Sequence, residues 1–317
     1  MLGFITTRLL QSVPLVIGVS LIGFALMHLA PGGPLAIYTL NPSINAQDIE
    51  RLRIIFGLDQ PVYIQYLKWA TGMLSGDWGN TFFGGRPVLE VILERLPATL
   101  LLIGSALAVA IVLGLAIGVL GAVRRHSVFD YLATSGALFA LSFPTFWFGL
   151  MAIYLFAVRL RWLPSGGMFE LGEEGNILDL LRHLVLPTAV LGFVITANWS
   201  RYARSAFLEV LQQDYMRTAR AKGLRFHQRL TRHAFPNAIK PLIALLGVEL
   251  PFLFSGALVA ETIFGWPGMG RLFVDALSMK EYPILMGMII FTALFVILGN
   301  LLADIAIAAI DPRVRLS

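Results

Sequence analysis

DYMRTARAKGLRFHQRLTRHAFPNAIKP, from Asp214 to Pro241, is the longest basic stretch in an otherwise apolar chain. Nine Lys and Arg residues lie between Arg201 and Lys240, opposed only by Glu209 and Asp214. Apolar segments flank it, Pro187–Leu211 before and Pro241–Glu261 after. Each reaches the roughly 20 residues that cross a bilayer's hydrocarbon core. The Lys/Arg bias that orients membrane proteins keeps so large a basic loop in the cytoplasm. Within it, Asp214 to Lys222 reads as a short helix, with Tyr215, Ala219 and Lys222 on neighbouring turns. Gly223 is where the chain can turn with φ > 0, and Leu224 onward starts a second helix that returns to Pro236. Ala219 and Ala221 are small enough for another protein surface to approach closely. The loop therefore reads as a docking surface. The plainer alternative is a solvated basic helix resting on anionic headgroups.

The rest of the chain supports a membrane reading. Of 317 residues, 57% are hydrophobic and 14% charged, against roughly a quarter charged in soluble domains. Four further apolar segments complete six spans: Leu9–Ala30, Thr99–Val123, Tyr131–Val158 with a kink at Pro144, and Ile284–Ala309. Pro187 suits the first turn of its span. Leu9–Ala30 is longer than the roughly 7–15 apolar residues of a signal peptide, so it reads as an uncleaved span. Residues 31–97 are polar and mixed, with 42–57 and 61–74 spaced like amphipathic helices. The expected organisation is an N-terminus and first span (1–30), an extracytoplasmic cap (31–97), a core of five spans containing the loop 212–240 (98–310), and a cytoplasmic tail (311–317). With both termini inside, fourteen Lys and Arg face the cytoplasm and ten face out. The net charge of +5 thus follows from membrane orientation, and no nucleic acid is needed to explain it.

Enzymatic chemistry finds little support. The chain has no cysteine, which excludes disulfides, thiolate metal sites and a cysteine nucleophile. It has no G-x-x-x-x-G-K-[ST] phosphate loop. The five histidines are scattered, and His227 and His233, six apart, do not share a helix face as a metal pair. No catalytic, cofactor or metal residue is assigned. Polar groups inside spans are costly and mark possible pathways: Glu249 is the first candidate, as a carboxylate able to attract an amine, with Asn198 and Asn300 beside it. Their plain readings are a buried ion pair or neutral carboxyl for Glu249 and interhelical hydrogen bonds for the asparagines. Glu261, where TIFGWPGMG begins, reads as the organiser of that loop, and Arg201 and Arg204 as inner-face anchors or lining of an exit.

The basic loop resembles the EAA loop of ABC importer permeases, E-A-A-x-x-x-G-x₉-I-x-L-P. Gly223 and Pro236 fall at the family spacing and Ala219 matches the second alanine, while Arg217, Thr218, His233 and Phe235 depart from the pattern. DYMRTARAKGL (214–224) is similar to the variant in the peptide/nickel subfamily. SGDWGNTFFGGRPVLEVILERLPATLLL (75–102), SFPTFWFGLMAIYLFA (142–157), WLPSGG (162–167), SGALVAETIFGWPGMGRLFVDAL (255–277), EYP (281–283) and DPRVR (311–315) extend the resemblance over nearly the whole chain. One departure is APGGP, with Gly33 where the subfamily usually has aspartate.

The chain looks like a B-type permease of a dipeptide, oligopeptide or nickel importer. The resemblance implies an all-α, six-span type I permease in the bacterial inner membrane, working by alternating access. It implies a second, related permease, two cytoplasmic ATPases that hold the ATP and Mg, and an extracytoplasmic binding protein. Coupling to an ATPase would fall to Asp214, Tyr215, Arg217, Ala219, Arg220, Ala221, Lys222, Gly223 and Leu224. Peptides are the first cargo; relatives carry nickel, glutathione, opines or oligosaccharides. The rivals are an ion-coupled secondary transporter, for which Glu249 is the main titratable group, and an enzyme or sensor built on 31–97.

Overall fold

The computed structural model describes residues 2–30, 33–35, 45–55 and 57–310. In chain order come α1 (Leu2–Leu29), a 3₁₀ turn (Gly33–Leu35), α2 (Ala46–Ile55), α3 (Val62–Leu74), α4 (Val88–Val123) and α5 (Val128–Ser142). Next are α6 (Thr145–Ala152), widening into a π turn over Ile153–Arg159, then α7 (Ile177–Leu211) and α8 (Asp214–Ala221). The chain ends with α9 (Phe226–Arg229), a π turn (Leu230–Ala234), α10 (Phe235–Ile263), α11 (Met269–Ser278) and α12 (Tyr282–Ile310). Among the described residues the nearest thing to a strand is one isolated pairing of Asn80 with Pro87. The fold is all-α.

α1, α4, α7 and α12 contain segments long and apolar enough to cross a membrane, and α5 with α6 adds another if the bent pair is one span. Large apolar side chains face outward along α1, where Leu10 is 71% exposed and Ile22 63%. Water would penalise such a surface, whereas lipid solvates it. α10 has 29 residues and covers the fifth expected segment; the side chains of 247–256 lie outside the described ones.

The helix ends differ from the sequence expectation in three informative places. α7 begins at Ile177, ten residues before Pro187, because the Asn176 side chain caps it by accepting from the N–H groups of Leu178 and Asp179. Pro187 is therefore inside the helix rather than in its first turn. Such a proline is tolerated in a membrane, where neighbouring groups re-satisfy the freed backbone. α4 likewise begins at Val88 rather than Thr99 and carries Pro97 within it. The expected kink at Pro144 is a full break: α5 and α6 meet at 99°. Phe143 is extended (φ −96°, ψ 138°), as a residue before proline tends to be.

Two compact units divide the chain, one comprising 1–97 with 271–298, the other 98–270 with 299–317. In the first unit α3 is fastened to α1. Tyr66 and Ser20 hydroxyls lie 2.8 Å apart, His28 Nε2 meets Gln65 Oε1 at 2.9 Å, and the Phe24 and Trp69 rings sit 5.8 Å apart. In the second unit the core joins Leu102, Ala106 and Ala110 of α4 to Ile195, Trp199 and Ala203 of α7 and to Leu242 and Ala260 of α10. α4 and α7 approach closely through small residues: a Cβ added at Gly118 would lie 2.6 Å from Ala203 Cβ. This is the packing by which membrane helices gain dispersion contact without a hydrophobic driving force.

Candidate functional site

The basic hairpin begins where α7 ends. After Gln212 and Gln213 the chain re-enters a helix, α8, with Met216 and Ala219 on one face. These two side chains are buried, at 4% and 5% exposure, in a cluster with Ala122, Phe207, Ala234 and Ala238. The other face exposes Asp214, Tyr215, Arg217, Arg220, Ala221 and Lys222. Ala219 is thus a correction to the sequence reading: its small size seats α8 on its own protein rather than admitting another surface. Ala221 does face out. Leu224 is half-buried.

α8 ends in a Schellman turn. Leu224 N–H donates to the Ala219 carbonyl (3.3 Å) and Gly223 N–H to that of Arg220 (3.0 Å), with Gly223 at φ 78°. Glycine is the usual residue there because a Cβ penalises the left-handed conformation. The second helix is shorter than expected. Arg225 N–H donates to Gln228 Oε1 (3.1 Å), starting α9, and the chain then passes through the π turn into α10 rather than stopping at Pro236. Pro236 has no N–H for the carbonyl of Arg232, and a local i→i+5 pattern accommodates that loss. Tyr215 hydrogen-bonds to Asn237 of α10, and burial pushes its phenol above the usual tyrosine range. It is neutral at cellular pH. The Asp214–Arg217 pair (3.3 Å) lies in solvent and contributes little.

Beside this hairpin the second unit holds a group the sequence reading missed. Asp130, 2% exposed, accepts from Arg204 Nε (2.5 Å) and Nη2 (2.8 Å) and from His126 N–H (3.0 Å). Ser127 caps α5 by accepting from Asp130 N–H (3.2 Å). Arg204 therefore ties α7 to the start of α5. Removing one partner of a buried pair leaves the other charge uncompensated, which costs more than the pair itself contributes. The available signal was the S-x-x-D cap at 127–130; its partner 74 residues away left none.

Two further carboxylates organise loops. Glu261, fully buried, accepts from the Thr99 hydroxyl (2.6 Å), and Thr99 Oγ1 in turn accepts from Met269 N–H (2.8 Å). Trp266 Nε1 donates to the Ala98 carbonyl (2.8 Å). A Cβ at Gly268 would overlap the Glu261 carboxylate. The loop 264–268 is folded directly onto this acid, as the sequence reading expects. In the first unit Glu281, 3% exposed, accepts from Phe82 N–H (2.9 Å) and Phe83 N–H (2.7 Å), pinning the loop 75–87.

The Glu249 side chain lies outside the described residues. Asn198 is half-buried on α7 between buried Ala197 and Trp199, and Asn300 is exposed on α12. No group of three His, Cys, Asp or Glu able to hold a metal occurs among the described residues.

Residues 110–316 match the family described as binding-protein-dependent transport system inner membrane component, and residues 1–103 match its N-terminal counterpart. The chain is 42% identical over 316 residues to the oligopeptide transport system permease protein AppB of Bacillus subtilis, covering 99% of this chain and all of that one. It is 38% identical to the dipeptide transport system permease protein DppB of Escherichia coli, covering 99% of each. Among solved structures, a chain from the inward-facing MetNI methionine ABC transporter matches with TM-score 0.57 and 16% identity, over 70% of this chain and 97% of that one. That likeness speaks for the fold alone.

Proposed function

Since the chain belongs to the binding-protein-dependent transport inner membrane component family, we propose that it is a peptide-passing permease subunit of an ATP-driven importer. Full-length relatives named for oligopeptide and dipeptide transport support the cargo class. In this reading the chain crosses the bacterial inner membrane six times with both termini in the cytoplasm. It pairs with a second, related permease. Two cytoplasmic ATPases bind the ATP and Mg, this chain binding neither, and an extracytoplasmic binding protein delivers the peptide. The chain carries out no catalysis of its own.

The observation that carries this reading is the basic hairpin itself. It offers exposed Arg217, Arg220 and Lys222 on a short helix whose opposite face is packed onto α4, α7 and α10 through Met216 and Ala219. Force applied to α8 by closing ATPases passes directly into those helices. Packed elements respond to such a push by shifting between discrete arrangements rather than bending gradually. Glu249, Asn198 and Asn300 are the proposed pathway residues.

Co-purification from native membranes tests the reading, with wild type compared against Gly223→Asp. That variant places a Cβ at φ 78° and a negative charge in the basic loop. Wild type should bring down two ATPase subunits and a second permease, with ATPase recovery falling several-fold in the variant. Wild type purifying alone, or as a homo-oligomer, would refute it.

A further inference from the structure

We propose that α3 is embedded in the membrane beside α1 and presents Tyr63, Leu67 and Leu74 to lipid acyl chains. The helix falls within 31–97, which the sequence reads as a cap outside the bilayer. This placement goes beyond the function proposed above and requires only that α1 cross the membrane, whatever the chain transports.

Depth comes from α1. Its apolar window, Ile5–Leu29, has 25 residues, about 37 Å of helix against a hydrocarbon core of about 30 Å. With Ile5 at the far boundary, an excess of about 7 Å projects at the Leu29 end. Phe24, five residues before Leu29, then sits at the near boundary. Ser20, nine residues before it, lies about 6 Å inside the hydrocarbon. These are the residues α3 meets. The Tyr66 hydroxyl is 2.8 Å from that of Ser20, and the Phe24 ring lies 5.4 Å from Tyr66 and 5.8 Å from Trp69. Ser20 Oγ donates to the Ile17 carbonyl (2.8 Å), so Tyr66 is the donor between the two hydroxyls. Both are satisfied within the protein, as a setting without water requires.

α3 has three sides. Gln65, Tyr66 and Trp69 face α1. Lys68 and Gly72, one turn apart, line a cleft with Tyr282 and Met286 of α12. Tyr63, Leu67 and Leu74 recur at i, i+4 and i+11, one stripe on the remaining side, and are 67%, 57% and 89% exposed. Lipid, rather than another protein, is the occupant this stripe fits. It adjoins a helix whose own outer surface is of the same kind, with Leu21, Ile22, Leu26 and Leu29 all exposed. Its side chains are large, whereas helices that meet inside membranes approach through small ones, as α4 and α7 do at Gly118 and Ala203. Tyr63 stands two residues before Gln65, whose side chain meets His28 near the end of the span (2.9 Å), the level at which aromatic belts form.

Because the chain has no native cysteine, a single Leu67→Cys carrying a bimane fluorophore tests the placement. Ile22→Cys on α1 serves as the lipid-facing reference and Leu171→Cys, in a fully exposed loop, as the water-facing one. Each labelled chain is measured in liposomes together with whatever subunits co-purify. Two quenchers are compared: a nitroxide on a phospholipid acyl chain close to the headgroup, and aqueous iodide. The Leu67→Cys label should be quenched by the lipid nitroxide about as strongly as the Ile22→Cys label. Iodide should quench it several-fold less than the Leu171→Cys label. Iodide quenching equal to that at Leu171→Cys would put the helix in water. Weak quenching by both agents would show another protein covering the stripe. Either result overturns the proposal, and neither bears on whether the chain is an importer subunit.

Discussion

The loop 75–87 and the basic hairpin 212–225 are both held in place by the rest of their unit, by opposite means. The first is pinned by a buried carboxylate, Glu281, which accepts two backbone N–H groups, together with hydrogen bonds of its own such as Thr81 N–H to the Arg86 carbonyl. The second is seated by apolar packing of Met216 and Ala219 and keeps its charges outside. Directional hydrogen bonds from a buried acid allow one arrangement. Packing of small and flexible side chains is compatible with a shift that keeps contact. The difference suits a fixed loop in one case and, in the function proposed above, a force-bearing contact in the other.

The largest effect should follow from removing the pin. Glu281→Ala removes a carboxylate that accepts from two part-buried N–H groups, at a cost of about 3 kcal/mol. The readout is accelerated limited proteolysis in 75–87 with cleavage in the basic hairpin unchanged. Met216→Ala should cost about 2–3 kcal/mol as a cavity under α8, and here proteolysis should accelerate in the hairpin and leave 75–87 alone. If either variant loosens both loops equally, the comparison fails. Gly223→Val comes next. Nothing lies within 4 Å of the added Cβ, so the penalty is the left-handed backbone alone, about 1–2 kcal/mol, visible as weaker ATPase capture at near-normal thermal stability. Asp214→Ala is the smallest. Its pair with Arg217 is solvent-exposed, so melting should be unchanged within error, and a clear loss of stability would show that the outer face of α8 is not free.

Much of this fold can be read from the residues, because a membrane allows few solutions. Long apolar runs become helices. Gly223 was legible since a turn with positive φ has a residue-level signature. Helix starts were less so. Pro187 and Pro97 resemble first-turn prolines locally, yet Asn176 caps α7 ten residues earlier and lipid-buried helices absorb the missing N–H. The 99° break before Pro144 looked like a kink because the apolar run continues across it. Least legible were two of the buried acids, Asp130 and Glu281. Asp130 meets Arg204 across 74 residues and Glu281 meets Phe82 across 199; neither periodicity nor spacing carries information over such separations. The inward face of Ala219 was hidden for the same reason, since its partners come from α4 and α10.

The most direct test of the central claim, that the exposed face of α8 receives a cytoplasmic ATPase, uses the absence of native cysteine. Single cysteines at Ala221 on the exposed face of α8 and at Leu171 in the exposed loop between α6 and α7 are treated with a short bis-maleimide in membranes containing the cognate ATPases. The account predicts a cross-linked permease–ATPase band from Ala221→Cys and none from Leu171→Cys. A band from Leu171→Cys, or none from Ala221→Cys where the ATPases co-purify, would contradict it.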